Sequence, residues 1–258
     1  MQDYNEQIMV DDMLMTMDQW DQFKDSQQEF VDVNREYLLD DMILTKVQMD
    51  QLFMQQTIKR KNGVKDLSLL WPNKTVPVWI SSDFNQAQKR LILSVLQLIS
   101  SKSCIEFKIL APNFTDLSYA NVTSGSGCSS HVGYRDGEVH MSLNAKGCLD
   151  DGRILHEFLH CLGFYHMHTG PNRDEFVTIL WDNIDSDYFV NFDPYNDGLT
   201  MMGTPYDYDS VTHYAADAFS KNGQETIISK NKSTQRLMGQ RTHLSEGDVI
   251  RLNLLYNC

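Results

Sequence analysis

The chain has 258 residues, 41% of them hydrophobic and 22% charged, with a formal net charge of −13. That balance supplies enough apolar material for a sizeable core. It includes no run of about 18 apolar residues that would encode a membrane span, and it lacks the basic clusters that nucleic-acid phosphates require. The acidity is uneven: residues 1–60 hold 13 acidic and 5 basic side chains, an asymmetry that marks the first quarter of the chain as a separate segment.

Residues 1–58 are rich in Met, Gln and Asp, and their apolar spacing is irregular. They read as an extended or partly helical arm, with helical turns over 25–38. Lys59-Arg60-Lys61, followed by Asn62-Gly63, is a loop signal and an accessible site for a trypsin-like protease. The chain therefore divides into an arm at 1–61 and a domain at 62–258. Residues 71–80 alternate and are β-branched, the pattern of a strand. Asp83 is placed to cap a helix over 84–102, whose apolar residues Ala87, Leu91, Val95, Leu98 and Ile99 recur at three and four. A strand is expected over 104–110, a Gly/Ser-rich turn around Cys128, and an alternating strand over 138–143. A helix over about 153–162 stops at Gly163. The last helix starts near Ser245, which has capping-box spacing to Asp248.

The five cysteines are Cys104, Cys128, Cys148, Cys161 and Cys258. None forms a Cys-x-x-Cys pair, which argues against a cysteine-based zinc knuckle. Four of them suffice for two disulfides, whose pairing the spacing leaves open, and disulfides imply an oxidising compartment. Sequons at Asn73, Asn113, Asn121 and Asn231 agree with that. Secretion is expected on these grounds although the first residues show no basic and apolar signal regions.

The stretch HEFLHCLGFYH, residues 156–166, carries the chemistry. His156 and His160, four apart on a helix, share one face and can share an ion. Gly163 permits the sharp turn that returns His166 as a third ligand. Three imidazoles leave a position open for water, the mark of a catalytic zinc site. Glu157, beside the ligands, is placed to take the water's proton and hand it to a leaving amine. Cys161 lies off the histidine face and reads as a small buried thiol.

These residues resemble the astacin family of the metzincin clan, and the resemblance runs from about Trp71 to Cys258. GCSSHVGYRDGEVHMSLNAKGC, NRDEFVTILWDNI, TPYDYDSVTHY and MGQRTHLSEGDVIRLNLLYNC each resemble a family stretch. The resemblance implies an α+β, two-lobed metzincin fold. A twisted N-terminal sheet would carry the zinc-site helix, and an irregular C-terminal lobe would end in a helix, with a cleft between the lobes. It implies the disulfides Cys104–Cys258 and Cys128–Cys148, strand 138–143 as the edge that pairs with substrate, and Tyr214 as the tyrosine that ligates zinc or supports the oxyanion. It also implies an inhibitory prosegment with an aspartate on the zinc. The nearest match to that motif is Leu38-Leu39-Asp40-Asp41, with Asp41 as the zymogen ligand and cleavage near Lys61 as its release.

The chain departs from the family at Thr212, where a methionine underlies the metal, and at Met167, where a glutamate meets the mature N-terminus. Asp40 stands where the prosegment motif has glycine. Gly170 and Asn172 break a charged run. The leading expectation is a secreted zymogen, a monomeric zinc endopeptidase with one Zn²⁺. Its partners are peptide or protein substrates and a trypsin-like activator, with no nucleic acid and no membrane. An inactive partner-binding module is the alternative, supported by Thr212 and Met167. A structural zinc protein is disfavoured by the open fourth position, and no EF-hand loop indicates calcium.

Overall fold

Alternating apolar residues in residues 36–45 and again in 75–80 build strands toward opposite sides of one sheet. The computed structural model describes residues 7–10, 13–16, 35–53, 67–115, 118–195 and 202–258. The expected cleavage site at Lys59-Arg60-Lys61, with Asn62-Gly63, lies outside the described residues, as do residues 25–34 of the expected helical turns. The elements in chain order begin with a hairpin of β1 (Gln7–Val10) and β2 (Met13–Thr16). Then come β3 (Glu36–Leu39), β4 (Met42–Thr45), α1 (Lys46–Phe53), β5 (Thr75–Ile80), α2 (Gln86–Lys102), β6 (Glu106–Ile109) and β7 (Tyr119–Thr123). The chain continues with β8 (Cys128–His131), β9 (Glu138–Leu143), α3 (Asp151–Cys161), β10 (Val177–Ile179), β11 (Ile227–Ser229) and α4 (Glu246–Tyr256).

Seven strands form the main sheet in the order β3-β4-β8-β9-β7-β5-β6. β3–β4 and β8–β9 pair antiparallel, and the other neighbours run parallel. Residues 36–39 are thus a strand and not a helical turn. β9 is interior, flanked by β8 and β7, which corrects its expected place at the edge. The intervening strand is β8, which follows the Gly/Ser-rich turn and is tied to the segment after β9 by the Cys128–Cys148 disulfide. In turn β8 is covered by β4, with Met42 opposite Ser130 and Ile43 opposite His131.

α2 begins later than expected. Its cap is Asn85, whose side chain accepts from the Ala87 and Gln88 N–H groups while Gln88 closes the box. Asp83 instead accepts from the Ser81 hydroxyl. The stripe it buries is Ile92, Val95, Leu96 and Ile99, while Leu98 faces outward. α3 has no polar face to spare: Ile154 through Cys161 are all buried.

Two apolar clusters result. The larger joins the sheet, α2, α3 and α4, and takes in Tyr37, Met42, Leu44 and Met49 from the first quarter of the chain. The smaller gathers Met167, Val177, Phe192, Tyr206, Tyr214 and Ile227 around the β10–β11 pair. A disulfide joins Cys104, beyond α2, to the C-terminal Cys258, and Trp71 Nε1 donates to the Cys161 carbonyl at 2.7 Å. Cys161 is buried and free, its thiol pushed up to about 12 by burial. Among the described residues no helix is long and apolar enough to cross a membrane.

Candidate metal centre

Asp150 caps α3 by accepting the Arg153 N–H at 2.9 Å, so the helix starts at Asp151 and carries His156 and His160 toward its far end. Their rings lie 4.6 Å apart between centroids. Gly163, at φ 99°, turns the chain out of the helix, and His166 returns with its ring 5.3 and 4.8 Å from the other two. His156 Nδ1–H donates to the Val211 carbonyl at 2.8 Å and His160 Nδ1–H to the Phe164 carbonyl at 2.6 Å. Those bonds fix the tautomer. Both Nε2 atoms are then bare lone pairs, and they face each other at 3.0 Å.

A carboxylate meets them from the turn between β3 and β4. Asp41 Oδ2 lies 2.9 Å from His156 Nε2, and Oδ1 lies 3.0 Å from His166 Nε2 and 3.5 Å from His160 Nε2. Asp41 Oδ1 and His166 Nε2 are buried with no hydrogen-bond partner among the described residues. Converging lone pairs and an anion without protons between them repel unless a cation is shared. Three imidazole nitrogens and one carboxylate oxygen within 4.8 Å of one another are a donor set suited to Zn²⁺. Burial pushes Asp41 upward, but the imidazoles of His166 and His156 that face it outweigh burial and hold the carboxyl well below its usual range. Glu157 is buried beside them, with Oε2 unpartnered. Burial, then the Asp41 and Asp40 charges, raise its pKa well above the carboxylate norm.

The family model of the astacin peptidases matches residues 63–257. The chain belongs to the astacin family. Seminal metalloprotease 1 of Drosophila melanogaster is 39% identical over 210 residues, covering 78% of this chain and 83% of that protein. Zinc metalloproteinase nas-13 of Caenorhabditis elegans is 37% identical over 200 residues, and meprin A subunit beta of Homo sapiens 36% over 200 residues. The match covers 77% of this chain in both cases but only 43% and 28% of those proteins, so the chain spans less than half their length. Among solved structures, high choriolytic enzyme 1, a hatching enzyme zinc-protease from Oryzias latipes (medaka fish), aligns with a TM-score of 0.69 at 34% identity. The alignment covers 76% of this chain and 100% of that one. The fold is α+β of astacin type, and the centre of three histidines and an aspartate is the zinc site of an astacin-type metalloendopeptidase.

Around this astacin's zinc site lies a shell that the motif alone does not disclose. Asp248 Oδ2 accepts the Val211 N–H at 2.9 Å, and the Val211 carbonyl in turn fixes His156. The other Asp248 oxygen takes the Ser210 hydroxyl and the Arg251 guanidinium, both at 2.7 Å. Thr212, next to Val211, is buried, its hydroxyl 3.0 Å from Ser210 Oγ and its carbonyl accepting the Met167 N–H at 3.3 Å. Met167 itself packs into the smaller apolar cluster. Tyr214 is buried, its ring 4.6 Å from that of His166 and stacked on His168 at 3.8 Å and 28°. His168 donates from Nε2 to the Asn191 carbonyl at 3.0 Å, and its Nδ1 is unpartnered. Sequence reading missed the contacts of Asp40, the place of His168 and the metal-side role of Asp248. The capping-box spacing at Ser245 was the one signal that drew attention to Asp248.

Proposed function

We propose that this astacin is a secreted endopeptidase held latent by its own N-terminal segment, with Asp41 as the residue that closes the zinc site. One observation carries the reading: the Asp41 carboxylate lies within 3.5 Å of the Nε2 atoms of all three histidines. It stands where an attacking water needs to be. β4 supports this by occupying the β8 edge, on which an extended peptide can add as a strand. The Ser130 N–H donates to the Asp41 carbonyl at 2.8 Å and Gln48 Nε2 to the Val132 carbonyl at 2.8 Å, so the segment is fastened at the turn and again in the helix after β4. Cleavage near Lys61 by a trypsin-like protease would free it.

Zinc held by His156, His160 and His166 would polarise a scissile carbonyl and acidify a water. Glu157, buried beside the ligands, would take that water's proton and return it to the leaving amine. Tyr214, through its hydroxyl, donates to the oxyanion. Secretion is supported by the two disulfides and by exposed sequon asparagines Asn73, Asn113 and Asn231. Asn121 is a poorer acceptor, since its amide donates to Glu138 at 2.8 Å. The substrates are proteins or peptides, and a monomer is the expected state.

The test is hydrolysis of a denatured protein by the intact and the trypsin-nicked chain, with Glu157→Ala as control and zinc assayed throughout. Activity in nicked wild type alone, with about one zinc per chain as three histidine ligands imply, is expected. Zinc without activity in any form would favour the partner-binding reading instead.

A further inference from the structure

The turn that brings Asp41 to the histidines carries a second carboxylate. Asp40 sits at φ 57°, in the left-handed region that disfavours a side chain, and strain kept at a contact is a pointer to function. Its Oδ2 accepts a hydrogen bond of 2.5 Å from the Tyr214 hydroxyl and lies 3.9 Å from His166 Nε2. Tyr214 belongs to the smaller apolar cluster, whereas the apolar residues of α3 that flank His156 and His160 belong to the larger one. Two adjacent aspartates therefore hold neighbouring but different groups, Asp41 the histidine nitrogens and Asp40 the tyrosine hydroxyl.

We propose that Asp40 is a second clasp, holding Tyr214 by its hydroxyl while Asp41 holds the histidines, so that the hairpin blocks the metal and the tyrosine together. The inference rests on the reading of the hairpin as a latch. The hydrogen bond joins the hydroxyl of a buried tyrosine to a partly buried carboxyl group, so its loss leaves a buried donor without a partner. Losing it opens the hairpin by about tenfold or more.

Opening can be read without catalysis, from the apparent affinity of a fluorescent hydroxamate for the uncut, zinc-loaded full chain, measured by polarisation. The probe reaches the metal only when the hairpin is away. D40A is expected to tighten probe binding about tenfold, and D40N, which keeps an acceptor, by less. D40G separates clasp from strain. Glycine relaxes the backbone at φ 57°, so a position that is merely strained predicts a firmer hairpin and weaker probe binding. The clasp predicts the opposite. In a Y214F background D40A should have no further effect. Unchanged or weaker probe binding in D40A and D40G, or an equal effect of D40A with and without the Tyr214 hydroxyl, overturns the clasp. D41A serves as the reference. If it opens the site and D40A does not, only the clasp fails; if D41A leaves the probe affinity unchanged, the latch reading fails and the clasp with it.

Discussion

Asp248 is the residue whose removal should be felt furthest from its position. It is buried, bonded to Arg251, Ser210 and the Val211 N–H, and replacing it strips one of two carboxylates from a buried guanidinium, leaving Asp207. D248A is expected to cost about 3–5 kcal/mol in urea unfolding. In protein that still folds, chelator competition should show zinc affinity lowered about tenfold or more, because Val211 no longer steadies His156. Residue spacing made the three histidines and Glu157 legible, since a helix of regular pitch puts positions four apart on one face. Asp248 was legible only as a helix cap, because its partners at 210 and 211 come from a distant turn that no local period encodes. Asp40 stood out only as a departure from a family pattern.

The zinc helix as an element is placed by what lies against it. Gly152 sits so close to the 241 backbone that a Cβ would lie 1.8 Å from the Arg241 carbonyl carbon. Helix propensity alone would make G152A stabilising by roughly 1 kcal/mol. The packing predicts destabilisation instead, by about 1–3 kcal/mol or more, with denaturant unfolding as the check. The sign decides whether local preference or tertiary contact governs this element. Contact also explains where element boundaries were misjudged. α2 starts at the Asn85 box, where two caps competed within three residues, and its buried stripe follows the sheet beneath it. β9 read well as a strand because it alternates, but strand order depends on pairing between distant segments. The arm hid two of the seven strands, β3 and β4, each four residues long.

At the scale of the whole molecule, two features set stability. The Cys104–Cys258 bridge closes a loop of 154 residues, and C104A/C258A should lose about 3–5 kcal/mol, read as a lower denaturant midpoint. Acid should weaken the fold as well. Burial depresses His213 from the ordinary value of 6.5 to about 4; its ring accepts from Tyr206 at 2.6 Å and donates to the Tyr214 carbonyl at 2.7 Å. Between those values the unfolded chain binds the proton and the folded chain does not, so stability falls as pH drops from 6.5 to 4. The loss amounts to roughly 3 kcal/mol at about 1.4 per unit. H213Q should flatten that part of the profile of unfolding free energy against pH.

The account turns on Asp41 as the group that shuts the zinc site, and the uncut chain can test it without any protease. Turnover of a denatured protein by intact D41A, compared with intact wild type and with zinc content measured alongside, is the direct measurement. D41A should retain its zinc on three histidines and cleave substrate while wild type stays silent. An intact D41A that holds zinc and is as silent as wild type, or an intact wild type that is already fully active, would contradict it.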